Sequence, residues 1–183
     1  MDADGALPEP SSRPKRWLRR LMGALLATII IGLLIPESPR VPVEGADSGD
    51  WHPESYWYEP WGSSGVHKGI DIFADRGRGV VSSTAGLVVY AGTLAKGGRV
   101  VLVLGPKWRV HYYAHLDQQL ASNGQWLWAG ERLGTVGTSG NAVGKSPHLH
   151  YSIVSLLPLP WQFSGGTQGW KKMFYLNPTD RFE

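Results

Sequence analysis

Hydrophobic and polar positions divide the chain into an apolar N-terminal run and a long stretch of short, glycine-punctuated apolar segments. Residues 1–14 are polar, with Pro8, Pro10 and Pro14, and carry no helical or strand period. A basic cluster (Arg13, Lys15, Arg16, Arg19, Arg20) leads into an uncharged run of 15 residues, Leu21 to Ile35, closed by Pro36. As a helix rising about 1.5 Å per residue, this run spans roughly 22 Å, short of a ~30 Å hydrocarbon core. Trp17 and Leu18, with Arg19 and Arg20 snorkelling to the headgroups, extend it to about 19 residues. We read residues 21–35 as a transmembrane signal anchor behind a cytoplasmic basic tail, residues 1–20. A cleaved signal peptide is the alternative. Ile35, Pro36 and Glu37 make a poor cleavage site, and the nearest tolerable one, Val43-x-Gly45, lies far downstream. A buried core helix is disfavoured, because a basic cluster directly before an apolar run is unusual in a core. In both export readings the basic flank stays inside and residues 37–183 lie outside.

Beyond Pro36 the pattern changes. Residues 36–50, rich in Pro, Gly and acidic side chains, read as a linker able to hold the domain up to about 45 Å from the bilayer if extended. Residues 51–64 are aromatic and irregular. From Val66 the chain alternates short apolar runs with turn residues: VVSSTAGLVVYAGTL, RVVLVLG, WRVHYYAHL, ERLGTVGTSG and HLHYSIVSL. This spacing predicts an all-β domain, an antiparallel sheet sandwich or barrel. No segment in 51–157 has helical periodicity, and residues 158–183 read as a tail wrapping the core. The domain is placed at 51–183.

The length of 183 residues suits one domain with an appendage and is enough to bury a core. The absence of Cys excludes disulfides, thiolate zinc sites, iron–sulfur clusters and a cysteine nucleophile. Residues 1–36 hold five basic and three acidic side chains, which leaves 13 basic and 12 acidic for the rest, a net +1. A nearly neutral body carries no nucleic-acid footprint.

Five of the six histidines fall in three short clusters: His67 with Asp71 in VHKGIDIF, His111 and His115 in VHYYAHL, and His148 and His150 in SPHLHYSI. Residues two apart in a strand share a face, so His148 and His150 project together with Leu149 on the other side. The same rule puts His111, Tyr113 and His115 on one face. Imidazoles and a carboxylate are zinc ligands, and structural zinc is usually Cys-rich and closed by four ligands. In a chain without Cys, a metal held by these clusters is expected to be catalytic. His52 stands apart in the irregular segment and is not expected to be a ligand.

These clusters, in this order, resemble the lysostaphin-type (LytM-like) zinc endopeptidases that cut peptidoglycan peptides. The resemblance rests on HKGIDIFADRGRGVVSSTAGLVVYAGT, YYAHL and GERLGTVGTSGNAVGKSPHLHYSI, and covers roughly residues 65–154. It implies the family's antiparallel β fold, of the duplicated hybrid motif type, with a groove over one sheet. It also implies one zinc ion per chain on His67, Asp71 and His150, with His148 and His115 as the catalytic histidines. His111, at a position the family does not fix, Tyr113 and Asn141 are candidate groove residues. Gly144-Lys145-Ser146-Pro147 makes the loop before H-x-H slightly longer than the shortest family versions. The implied mechanism uses zinc to activate water, one histidine as general base and the other to stabilise the oxyanion; the two roles are interchangeable on sequence alone. The implied partner is peptidoglycan, with the domain on the periplasmic side of the cytoplasmic membrane. A non-catalytic LytM-like regulator of other wall enzymes is the alternative. All five expected site residues are present, which favours the enzyme.

Two other patterns lead elsewhere. Gly134-x-x-Gly137-x-x-Gly140 lacks the G-K-[ST] ending of a phosphate loop and a following helix, so no nucleotide site is expected. The tryptophans at 51, 57, 61, 126 and 128 are expected mostly to pack sheet edges rather than to bind sugars.

Overall fold

The computed structural model describes residues 14–182, which form one α-helix, six short 3-10 helices and ten strands. Helix α1 runs Pro14–Leu34. The strands are β1 (Ile70–Phe73), β2 (Gly79–Val81), β3 (Gly86–Leu94), β4 (Gly98–Gly105), β5 (Arg109–Leu116), β6 (Gln118–Gln119), β7 (Trp126–Leu127), β8 (Arg132–Thr135), β9 (His148–Ser155) and β10 (Tyr175–Leu176). The larger sheet has the order β1-β9-β5-β4-β3-β7, with β10 pairing β9 beyond the end of β1. The smaller sheet is β2-β8-β6. Every pairing is antiparallel.

Alternation along the central strands explains the layering. On β9, Leu149, Tyr151 and Ile153 are fully buried in the core, while His148, His150, Ser152 and Val154 line a cleft on the opposite face. The core joins these side chains to Val80, Leu133 and Val136 on and beside the smaller sheet. The Tyr113 hydroxyl, fully buried there, accepts a hydrogen bond from the Ser83 amide at 2.8 Å, so it is not left unsatisfied. The C-terminal tail does wrap this core: Phe182 stacks on Tyr151 and meets the edge of Trp51.

Helix α1 is long and apolar enough over Arg16–Leu34 to cross a membrane, and most of that span is exposed. Leu25 and Ile31 are more than 60% exposed, so the core-helix alternative fails. Near its end the helix touches the β4–β5 turn, where the Trp108 indole N–H donates to the Ile29 carbonyl at 3.0 Å. A side chain at Gly32 would collide with that indole.

Residues 36–50 do not run free. The Arg40 and Glu44 amides donate to Ser83 and Gly79 carbonyls at 2.9 and 3.0 Å, and the Val81 amide donates to Pro42. Val43 bridges to Val80 and is buried in the core. Proline-rich composition suggested a linker, but the valines among the prolines supply a core-facing edge. The stand-off expected from an extended linker is therefore absent.

Glu37, three residues past the helix, closes the same contact. Its side chain is 1% exposed and pairs with Arg109 and with His111 Nε2, the latter at 3.1 Å. Burial opposes its ionisation, but the hydrogen bond from His111 and the charge of Arg109 outweigh that and hold its carboxyl below the ordinary value. Glu37→Gln leaves Arg109 buried without a counter-charge, which should cost about 3 kcal/mol, or roughly 10 °C in Tm. The sign with pH follows from the lowered value. The stabilisation is present above the ordinary Glu pKa of about 4.3 and is lost as pH falls through the folded value. The Tm gap between wild type and Glu37→Gln should be full at pH 7 and narrow steadily below about pH 4.

Candidate metal centre and cleft

His67, Asp71 and His150 converge although 83 residues separate the first from the last. His67 sits in the turn before β1, and Asp71 on β1 pairs in register with His150 on β9. His67 Nε2 lies 3.1 Å from Asp71 Oδ1 and 3.1 Å from His150 Nδ1, and His150 Nδ1 lies 2.8 Å from the same Oδ1. Bonds of about 2.0–2.1 Å to a tetrahedral ion place donors roughly 3.3 Å apart, so this donor set fits a zinc-sized cation with little movement.

The imidazoles are oriented from behind. His67 Nδ1 donates to the Ser55 carbonyl at 2.9 Å, which leaves Nε2 unprotonated towards the other two donors. His150 Nε2 lies 3.1 Å from Ser152 Oγ, which frees Nδ1. These tautomers are assigned from the hydrogen-bond partners. Trp61 stacks on the His67 ring with centroids 4.0 Å apart, and Tyr112 meets the His150 ring edge-on. Burial opposes ionisation of Asp71, but the His150 and His67 rings against it override that and hold the carboxyl well below the usual range. Burial lowers His150, partly offset by the Asp71 carboxylate beside its ring. The carboxylate is charged and the imidazole neutral, the states that bind a metal.

His148 and His115 flank this set. Their rings lie 5.0 Å apart, and His148 Nε2 is 4.0 Å from Asp71 Oδ2. Each donates its Nδ1 hydrogen to a backbone carbonyl, His148 to Ser146 at 2.7 Å and His115 to Ser139 at 2.9 Å. Both therefore aim an unprotonated Nε2 at the cleft. Burial, with repulsion from His150, pushes His115 down to about 4.

The expectation that His111, Tyr113 and His115 share a face is corrected here. His111 and Tyr113 are buried on the core side, where His111 Nδ1 lies 2.6 Å from the Tyr151 hydroxyl. Val110, Tyr112 and Ala114 face the cleft instead. His115 reaches the cleft because β5 bulges: Val101 pairs with Tyr113 but Arg99 with Leu116, so β5 carries one extra residue there. His115 takes up the bulge at φ +65°, a conformation rare and costly outside glycine and typical of functional positions. Asn141 does line the cleft. His52 lies apart, its Nδ1 accepting from the Glu54 amide at 3.2 Å.

The cleft encloses about 500 Å³. Beyond the histidines its walls include Trp61, Tyr112 and Tyr175, an apolar stretch of Leu102, Val110, Val154 and Leu156, and three lysines, Lys68, Lys96 and Lys145. Sequence reasoning missed the lysines, Trp61 and Tyr112. Lys68, Tyr112 and Lys145 lie close in sequence to the histidine clusters, Trp61 reads there as a packing residue, and Lys96 carries no such signal.

Comparison with known proteins agrees with this geometry. The model of peptidase family M23 matches residues 65–157. The Escherichia coli lipoprotein YgeR is 33% identical over 69% of this chain and 50% of its own. The murein hydrolase activator NlpD of E. coli is 33% identical over 56% of this chain and 27% of its own. The L-Ala–D-Glu endopeptidase of Bacillus subtilis is 34% identical over 57% of this chain and 35% of its own. The chain thus spans half or less of these relatives. Among solved structures, the catalytic domain of lysostaphin from Staphylococcus simulans superposes with a TM-score of 0.56 at 25% identity, covering 69% of this chain and 86% of that one. With the family match running from the turn before His67 to the end of β9, and a lysostaphin-like fold beneath it, the chain belongs to peptidase family M23.

Proposed function

We propose that this protein is a membrane-anchored zinc endopeptidase that hydrolyses peptide bonds in peptidoglycan stem peptides or cross-links. The observation that carries this reading is the convergence of all five expected side chains. His67, Asp71 and His150 present three donors to one point, and His148 and His115 present two free Nε2 atoms beside it. When bound, zinc would supply Lewis acidity to the scissile carbonyl and to water. His148 takes the proton of the attacking water at Nε2, held in place by Ser146. Burial makes His115 a weak base, neutral at rest with its Nδ1 hydrogen on Ser139 and its Nε2 free, so it would serve the developing oxyanion only through a proton taken up at Nε2 during the reaction. Trp61 and Tyr112 wall the cleft and fix the ligand rings.

Helix α1 anchors the chain, with residues 37–183 on the outer side, where the wall lies. Retention of the anchor is supported by the packing of residues 37–43. Cleavage near Val43-x-Gly45 would strip Val43 from the core and Glu37 from Arg109.

The second reading is an activator of wall hydrolases, favoured by the similarity to NlpD. Digestion of purified peptidoglycan by the zinc-loaded full chain, with fragments identified by mass, separates the two. The enzyme is expected to release new amino termini unaided, with His148→Ala inactive. No release alone, but faster release by an added wall hydrolase, would select the activator.

A further inference from the structure

The cleft is charged in a way that the histidine chemistry does not require. Lys68 follows His67, Lys96 lies at the tip of the β3–β4 hairpin, and Lys145 belongs to the loop before β9, so three separate segments bring a lysine to its walls. The one carboxylate among the described lining residues is Asp71, and His67 and His150 already engage it. Among the described residues, no carboxylate lies within 4 Å of any lysine ammonium, whereas Arg76, Arg109 and Arg132 are each paired with an acid.

Backbone carbonyls hold two of these lysines instead. Lys68 Nζ donates to the Ser64 carbonyl at 3.1 Å, and Lys96 Nζ to Ser63 at 3.4 Å. A carbonyl orients an ammonium group but does not neutralise it. Gln168 ties a further lysine to the same turn: its amide donates to the Ser64 carbonyl at 2.8 Å, and its oxygen accepts from Lys171 Nζ at 3.2 Å. Like charges gathered at a partly enclosed wall repel one another unless an anion joins them. The far end of the cleft, at Leu102, Val110, Val154 and Leu156, is apolar and offers an anion nothing.

We infer that Lys68 and Lys96 form a carboxylate subsite beside the metal set, so that the substrate is a peptide with a free carboxylate flanking the scissile bond, not a neutral glycine bridge. This deepens the reading of the cleft as a peptidoglycan-peptide site and rests on it. Charge-assisted hydrogen bonds from an ammonium to a carboxylate are roughly twice as strong as neutral ones, and the surrounding positive field speeds encounter.

The test uses the zinc-loaded full chain in detergent and two stem peptides, identical except that the α-carboxylate of the D-glutamate is free in one and a carboxamide in the other. Wild type should cleave the free acid with a kcat/KM at least tenfold higher, and the preference should shrink as salt rises. In Lys96→Gln, and separately in Lys96→Ala, the ratio of the two rates should fall towards one, with melting temperatures checking that both variants fold. Equal rates on the two peptides in wild type, or a ratio untouched in both variants, would overturn the subsite. If neither peptide is cut, the endopeptidase reading fails on its own, and calorimetry with the same peptides decides the subsite. Tighter binding of the free acid by tenfold or more upholds it, and equal or absent binding of both ends it.

Discussion

His67→Ala and His150→Ala will each release the metal and reduce hydrolysis below detection. The three donors lie 2.8–3.1 Å from one another, and each imidazole is aimed by a partner behind it. Losing one of three protein ligands leaves Asp71 and a single histidine, too few to hold zinc in an open catalytic arrangement. The Asp71 carboxylate would also lose one of the two ring contacts that favour its ionised form, so its pKa should move up in either variant. Metal content after dialysis and peptidoglycan turnover, measured on the same preparation, check this. A variant that keeps one zinc per chain would show that the ligand set is misassigned.

His148→Ala and His115→Ala should behave differently, keeping zinc at wild-type stoichiometry while kcat falls by at least ~100-fold, the scale for losing a general base or an oxyanion donor. His111→Ala supplies the contrast. His111 lies on the core side with Tyr151 and Glu37, so its loss should lower thermal stability and leave the zinc in place. A kcat loss in His111→Ala as large as that in His115→Ala, at equal stability, would put His111 in the catalytic set.

Much of the fold was legible because strand alternation is a local property. His148-Leu149-His150 declares its two faces by spacing alone, and β9 keeps that spacing in the larger sheet. The glycine-punctuated runs likewise predicted antiparallel strands, which is what forms. Residues 36–50 were misread because composition reports chain flexibility, not whether a side chain finds a partner. Val43 finds one in Val80, and Glu37 finds Arg109, which lies 72 positions away.

The site divides along the same line. The sequence by itself determined the residue types, the order of the histidine clusters, the absence of Cys and the apolar length of α1, since these depend only on neighbours along the chain. Tertiary structure decided which cluster meets which. Asp71 faces His150 because β1 and β9 pair in one register, and a slip of one residue would have turned the carboxylate to the core. It also decided the face of His115, because the period-two rule holds only while a strand is regular, and the single bulged residue of β5 carries His115 away from His111 and Tyr113 into the cleft. The lysines on the cleft wall follow the same logic: they come from three loops that only the folded sheet brings together, and charge that is nearly balanced along the chain becomes concentrated in space.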